Sequence, residues 1–75
     1  MEGKVLFQCG FVYSIQGYKD KALKLYEKCL ELQERVKGKD SIETSLTLRN
    51  IGKIYSHQGN TNKALEYYYE CLKIQ

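Results

Sequence analysis

The chain has 75 residues, with 12 Lys and Arg against 9 Asp and Glu, for a formal net charge of +3. That length suits one small domain and is too short to enclose a substrate pocket and still bury a core, which sets catalysis aside. The basic surplus is spread evenly rather than gathered on one face as in a nucleic-acid binder, and no apolar run nears the roughly 18 to 20 residues of a membrane span.

Taken in order, the first predicted element is a helix over about 2–16. Leu6, Cys9, Gly10 and Tyr13 fall at helical spacing on one face of it. Gly17 breaks the pattern, and a second helix runs over about 18–37 with Ala22, Tyr26, Cys29 and Leu30 on its apolar side. Its charges form a solvated face, with Lys24/Glu27, Lys28/Glu31 and Glu31/Arg35 offsetting one another three or four residues apart. Lys37-Gly38-Lys39-Asp40-Ser41 is the one plausible loop, and Asp40 with Glu43 reads as a capping box opening a third helix over 41–58. Leu48, Ile51, Gly52 and Tyr55 mark the inner face of that helix. After Gln58-Gly59-Asn60 comes a fourth over 61–74, with Ala64, Tyr68, Cys71 and Leu72.

These four helices are two copies of one unit. Shifting the chain by 42 residues pairs Gly3–Gln33 with Ser45–Gln75, and thirteen of the 31 pairs are identical. Among them are Gly10/Gly52, Tyr13/Tyr55, Gly17/Gly59, Ala22/Ala64, Tyr26/Tyr68 and Cys29/Cys71. A glycine in a helix interior costs about 1 kcal/mol against alanine. Repeating one at the same point implies close helix approach, with Ala22 or Ala64 opposite and Tyr26 or Tyr68 beside the contact. We therefore expect an all-α fold of two stacked helix-turn-helix hairpins, one over 1–37 and the other over 38–75 with its linker.

Leu6-x-x-Cys9-Gly10-x-x-Tyr13 with Ala22-x-x-x-Tyr26, and Leu48-x-x-Ile51-Gly52-x-x-Tyr55 with Ala64-x-x-x-Tyr68, resemble the tetratricopeptide repeat pattern. Leu stands for its Trp, Tyr for its Phe, and the terminal Pro is missing. The 42-residue period, longer than the usual 34, is similar to that of kinesin-light-chain repeats. The resemblance implies a segment of an α-solenoid whose concave wall comes from the first helix of each pair.

It also implies a function, that of a non-catalytic module holding a peptide or partner protein in the groove of a larger scaffold or adaptor. Gln8 and Phe11 of the first copy, and Arg49, Asn50, Lys53, Ser56 and His57 of the second, are the expected peptide-binding residues, with Phe7, Ser14 and Ile15 beside them. Asn50, just before Ile51-Gly52, matches the family's asparagine that grips peptide backbone, since an amide offers both donor and acceptor. Arg49 and Lys53 suit an acidic peptide or free carboxylate. Phe7 and Phe11 either line a pocket beside them or pack on a preceding segment.

No cofactor, metal or catalytic set is expected, because His57 is the single histidine and Cys9, Cys29 and Cys71 lack ligand spacing. The thiols read as small buried hydrophobes in a reducing, cytoplasmic compartment. Of the three consecutive tyrosines, Tyr67 is expected to pack and Tyr69 to be exposed. The alternatives are a helical-repeat RNA binder, or a structural or sensor arm of a larger regulatory NTPase. No membrane partner is expected and a nucleic acid is disfavoured. Leu65, Tyr67, Leu72 and Ile74 are expected to lack cover, giving an incomplete solenoid that is marginally stable or self-associates through its exposed end.

Overall fold

The computed structural model describes residues 2–36 and 42–74, with side chains from Val5 onward. Four helices follow one another: α1 (Glu2–Gln16), α2 (Lys19–Val36), α3 (Ile42–His57) and α4 (Thr61–Ile74). Helix α1 packs on α2 and α3 on α4, and the two hairpins join along a seam between α2 and α3. The expected 37–41 loop, including Asp40 of the capping box, lies outside the described residues.

Both hairpins turn in the same way. Gly17 and Gly59 have φ of +91° and +81°, a left-handed conformation that a side chain would strain. The amide of Gly17 donates to Ser14 O at 3.2 Å and that of Tyr18 to Tyr13 O at 2.9 Å. The second copy repeats this, Gly59 donating to Ser56 O at 3.1 Å and Asn60 to Tyr55 O at 2.9 Å. Each turn is thus a Schellman motif, satisfying carbonyls that the helix end leaves open. It also corrects two helix ends. Tyr18 falls outside α2 because its amide serves the turn, and Gln58 falls outside α3 as the residue that leads into Gly59, its amide still bonded to Ile54 O at 3.0 Å; Asn60 then caps α4, its Oδ1 accepting from Lys63 N at 3.4 Å.

The core is a cluster of Ala22 and Tyr26 from α2 with Ile51 and Ile54 from α3. Phe7, Tyr13, Leu23, Leu30, Tyr55 and Tyr67 pack against it. The repeated glycines serve close packing, though against a different atom set from the one expected. The atoms nearest a Cβ on Gly10 would be those of the Tyr26 ring, and nearest one on Gly52 the Tyr68 ring and the Ala64 carbonyl. Alanine is therefore not the principal opposing surface; the aromatic ring is.

Burial departs from expectation at Cys9, because the copies differ in their neighbours, and at Tyr67, which its own hairpin covers. Cys9 is exposed while its counterpart Ile51 is fully buried. Helix α2 covers Ile51's side of α3, and no described helix lies in the corresponding place on α1. Tyr67 does find cover, stacking on Tyr55 with ring centroids 5.6 Å apart. Leu65, Leu72 and Tyr69 are exposed, and Ile74 is half-buried. Of the ion pairs expected on α2, none forms; among the described residues Glu70 and Lys73 make one, at 3.8 Å.

Candidate functional site

The second-copy residues expected to bind peptide all lie on α3. Helical spacing sets Arg49, Asn50, Lys53 and His57 along one stripe, with Ser56 at its edge. Arg49, Lys53, Ser56 and His57 are exposed and Asn50 is half-buried. The Asn50 amide is held by its own helix, Nδ2 donating to Leu46 O at 2.8 Å. That bond fixes the side-chain plane and leaves Oδ1 and the second N–H for a ligand. Neither Arg49 nor Lys53 forms an ion pair among the described residues.

On α1, Gln8 and Phe11 are exposed, whereas Phe7 belongs elsewhere. Its ring meets Tyr26 edge to face at 5.5 Å and packs against the core, so it is a structural residue and not part of a groove wall. Ser14 is half-buried and Ile15 exposed. The two copies thus contribute unequally: α3 presents charge and an amide, α1 an aromatic ring and an amide. A shallow hollow lined by Glu66, Tyr67, Tyr69 and Glu70 shares no residue with this stripe.

Two features escaped the sequence reading. The first is a set of buried hydroxyls on α3, Thr44, Ser45 and Thr47, of which Thr47 faces the seam. Ser45 donates to Ile42 O at 2.8 Å within the helix. The Thr47 hydroxyl donates across the seam to Gln33 Oε1 at 2.7 Å, with Glu43 O at 3.2 Å as a second acceptor. The Cys29 thiol lies 3.9 Å from the same hydroxyl. Burial pushes the Cys29 thiol pKa up, and the hydrogen bond with Thr47 opposes the shift. The second feature is a cation over each turn. Lys21 Nζ sits 5.7 Å from the Tyr13 ring and 5.4 Å from that of Tyr18, and Lys63 Nζ sits 5.5 Å from Tyr55. Identity of Lys21 with Lys63 across the duplication was the available signal for this pairing.

Among the described residues, no group of three or more His, Cys, Asp and Glu is placed to hold a metal ion. No described helix is long and apolar enough to cross a membrane.

Paired helices that turn through the same motif and stack along one seam define an α-helical repeat module. A family model described as tetratricopeptide repeat matches residues 4–75, and the chain belongs to that family. Its members typically mediate protein–protein interaction and are generally non-catalytic. No curated protein matches the chain.

Proposed function

We propose that this chain is a non-catalytic binding module that holds an extended acidic segment of a partner protein along the α3 stripe, with Gln8 and Phe11 of α1 extending the surface. The observation that carries this reading is the Asn50 amide, tethered through Nδ2 to Leu46 O between two exposed cations, Arg49 and Lys53. A peptide backbone needs a donor and an acceptor at fixed spacing, and an oriented amide supplies both. The flanking cations favour carboxylates over neutral side chains. Ser56 and His57 continue the stripe by one further turn.

The 42-residue period and the 18 residues of α2 support placing the repeats with the kinesin-light-chain type. Burial of Cys29 and Cys71 as thiols suits a reducing, cytoplasmic setting.

The test is a fluorescence-anisotropy titration with acidic, neutral and basic peptides and a single-stranded oligonucleotide, each across a salt series. Acidic peptides bind best. Asn50→Ala weakens them by about 1 kcal/mol or more without loss of stability, and Lys53→Glu harms acidic ligands selectively, less so as salt rises. Equal losses for all three peptide classes, or tighter binding of the oligonucleotide, would count against the proposal.

A further inference from the structure

The seam between α2 and α3 has two faces, and the duplication gives each a copy whose outer apolar residues nothing among the described residues covers. On the α2 side, Leu23 and Leu30 pack against the cluster containing Tyr26, while Cys29 approaches Thr47. The matching positions of α4 hold the same four residue types: Leu65, Leu72, Tyr68 and Cys71. Leu65 is 46% exposed and Leu72 65%, while Tyr68 is half-buried and Cys71 buried against their own hairpin, so the two leucines carry the uncovered part of the face.

On the α3 side the receiving residues are Thr47, Ile51 and Ile54, all within 2% of complete burial. Their counterparts on α1 are Val5, Cys9 and Val12, each apolar. Val5 is 59% exposed and Val12 51%, and Cys9 is exposed as well. Helix α1 is only weakly amphipathic compared with α2 and α4 because its apolar residues run round most of its circumference. Such a helix needs burial on more than the side that faces its hairpin partner.

We infer that a second copy of this chain occupies these surfaces, the α4 face of one molecule docking on the α1 face of the next in the register of the internal α2–α3 seam. The argument is continuity with an interface the molecule already makes. One side is reproduced residue for residue, and the other by apolar residues that need no hydrogen-bond partner. The contact is heterologous, so it does not close on itself and leads to open head-to-tail chains rather than a two-fold dimer. It uses neither Asn50 nor Lys53 and stands apart from the peptide-binding proposal.

Sedimentation equilibrium of the full chain tests it. The wild type gives a weight-average mass that climbs with concentration beyond twice the 8.8 kDa monomer. Leu72→Lys and Val12→Lys each remove one exposed apolar contact, and circular dichroism checks that both stay folded. Each variant alone remains monomeric, because either substitution breaks the same contact. An equimolar mixture retains one intact α4 face and one intact α1 face, and forms a 1:1 heterodimer of twice the monomer mass. A wild type that stays monomeric overturns the inference. So does a variant that still self-associates, since that marks a two-fold contact through the other face, or a mixture that fails to pair.

Discussion

The Tyr26 ring fills the space into which a side chain at Gly10 would project: a Cβ there would lie 3.1 Å from Cε1 and 3.2 Å from Cδ1. Gly52 stands in the same relation to Tyr68 and has the Ala64 carbonyl at 3.3 Å besides. Tyr26 is fully buried and wedged by Phe7, so its ring has little room to yield. Alanine in a helix interior normally gains about 1 kcal/mol over glycine. At positions 10 and 52 that gain is offset by crowding, so Gly10→Ala and Gly52→Ala give no increase in unfolding free energy. Gly52→Leu loses about 1–3 kcal/mol or more through overpacking. Urea denaturation followed by circular dichroism measures both, and a full 1 kcal/mol gain for the alanines would show that the rings move aside.

Tyr26 also has a buried hydroxyl with no hydrogen-bond partner among the described residues. Tyr26→Phe therefore preserves the packing and removes a desolvated donor, raising stability at neutral pH by about 1 kcal/mol. Tyr68→Phe, at a half-buried site, changes it far less.

Burial, with a smaller contribution from Cys29, pushes the Tyr26 phenol up to about 12 from its ordinary 10.0. A folded-state pKa above the unfolded value gives stability that is complete below pH 10 and lost as pH rises through about 12. Cys29 is shifted in the same direction from 9.0 and adds a loss that begins somewhat lower. Stability measured from pH 8 to 12 falls for the wild type, and the fall is shallower in Tyr26→Phe; parallel curves would remove the tyrosine from this account.

The three thiols separate by access. Cys9 is exposed while Cys29 and Cys71 are buried, so at concentrations where the chain is monomeric iodoacetamide labels Cys9 first and the other two only as fast as the fold opens. Mass spectrometry of a timed quench reads the order directly. Cys29→Ser costs about 1–3 kcal/mol, because it puts a polar hydroxyl in a fully buried site shaped for a larger, more apolar thiol. Cys9→Ser costs nothing measurable.

Thr47 and Gln33 are joined across the hairpin seam by a 2.7 Å hydrogen bond. Thr47→Val and Gln33→Ala each lose stability, and the double variant loses less than their sum. The coupling energy is about 0.5–1.5 kcal/mol, the usual net worth of such a bond. Strict additivity would mean that the bond contributes nothing.

Helices and turns were legible in the sequence because their signals are local. Gly17 and Gly59 stand at the left-handed positions, and apolar spacing gives each helix its inner face. Tyr18 and Gln58 differ from expectation by one residue each, since they flank the turn glycines and neither residue type forbids helix. Cys9 and Phe7 misled for a different reason. Aligning copies assumes that equivalent positions have equivalent neighbours, but α3 has α2 against it where α1 has no described helix. The buried hydroxyls of Thr44, Ser45 and Thr47 carry no signal in the sequence, because burial of a polar residue depends on partners that composition does not reveal. For the α3 stripe the sequence supplied positions and charge, and the Asn50–Leu46 tether emerged only from three-dimensional geometry.

The two Schellman turns bear on how the molecule folds. Each closes its hairpin within a few residues, so most helix pairing is local and each hairpin forms quickly. The long-range step is docking of α2 on α3, and among the described residues that seam is the main contact between the halves. Cooperativity is therefore set at the seam rather than in the hairpins. Weakening it at Thr47 or Cys29 lowers the midpoint and also broadens the transition, because the chain then melts as two loosely linked units in place of one.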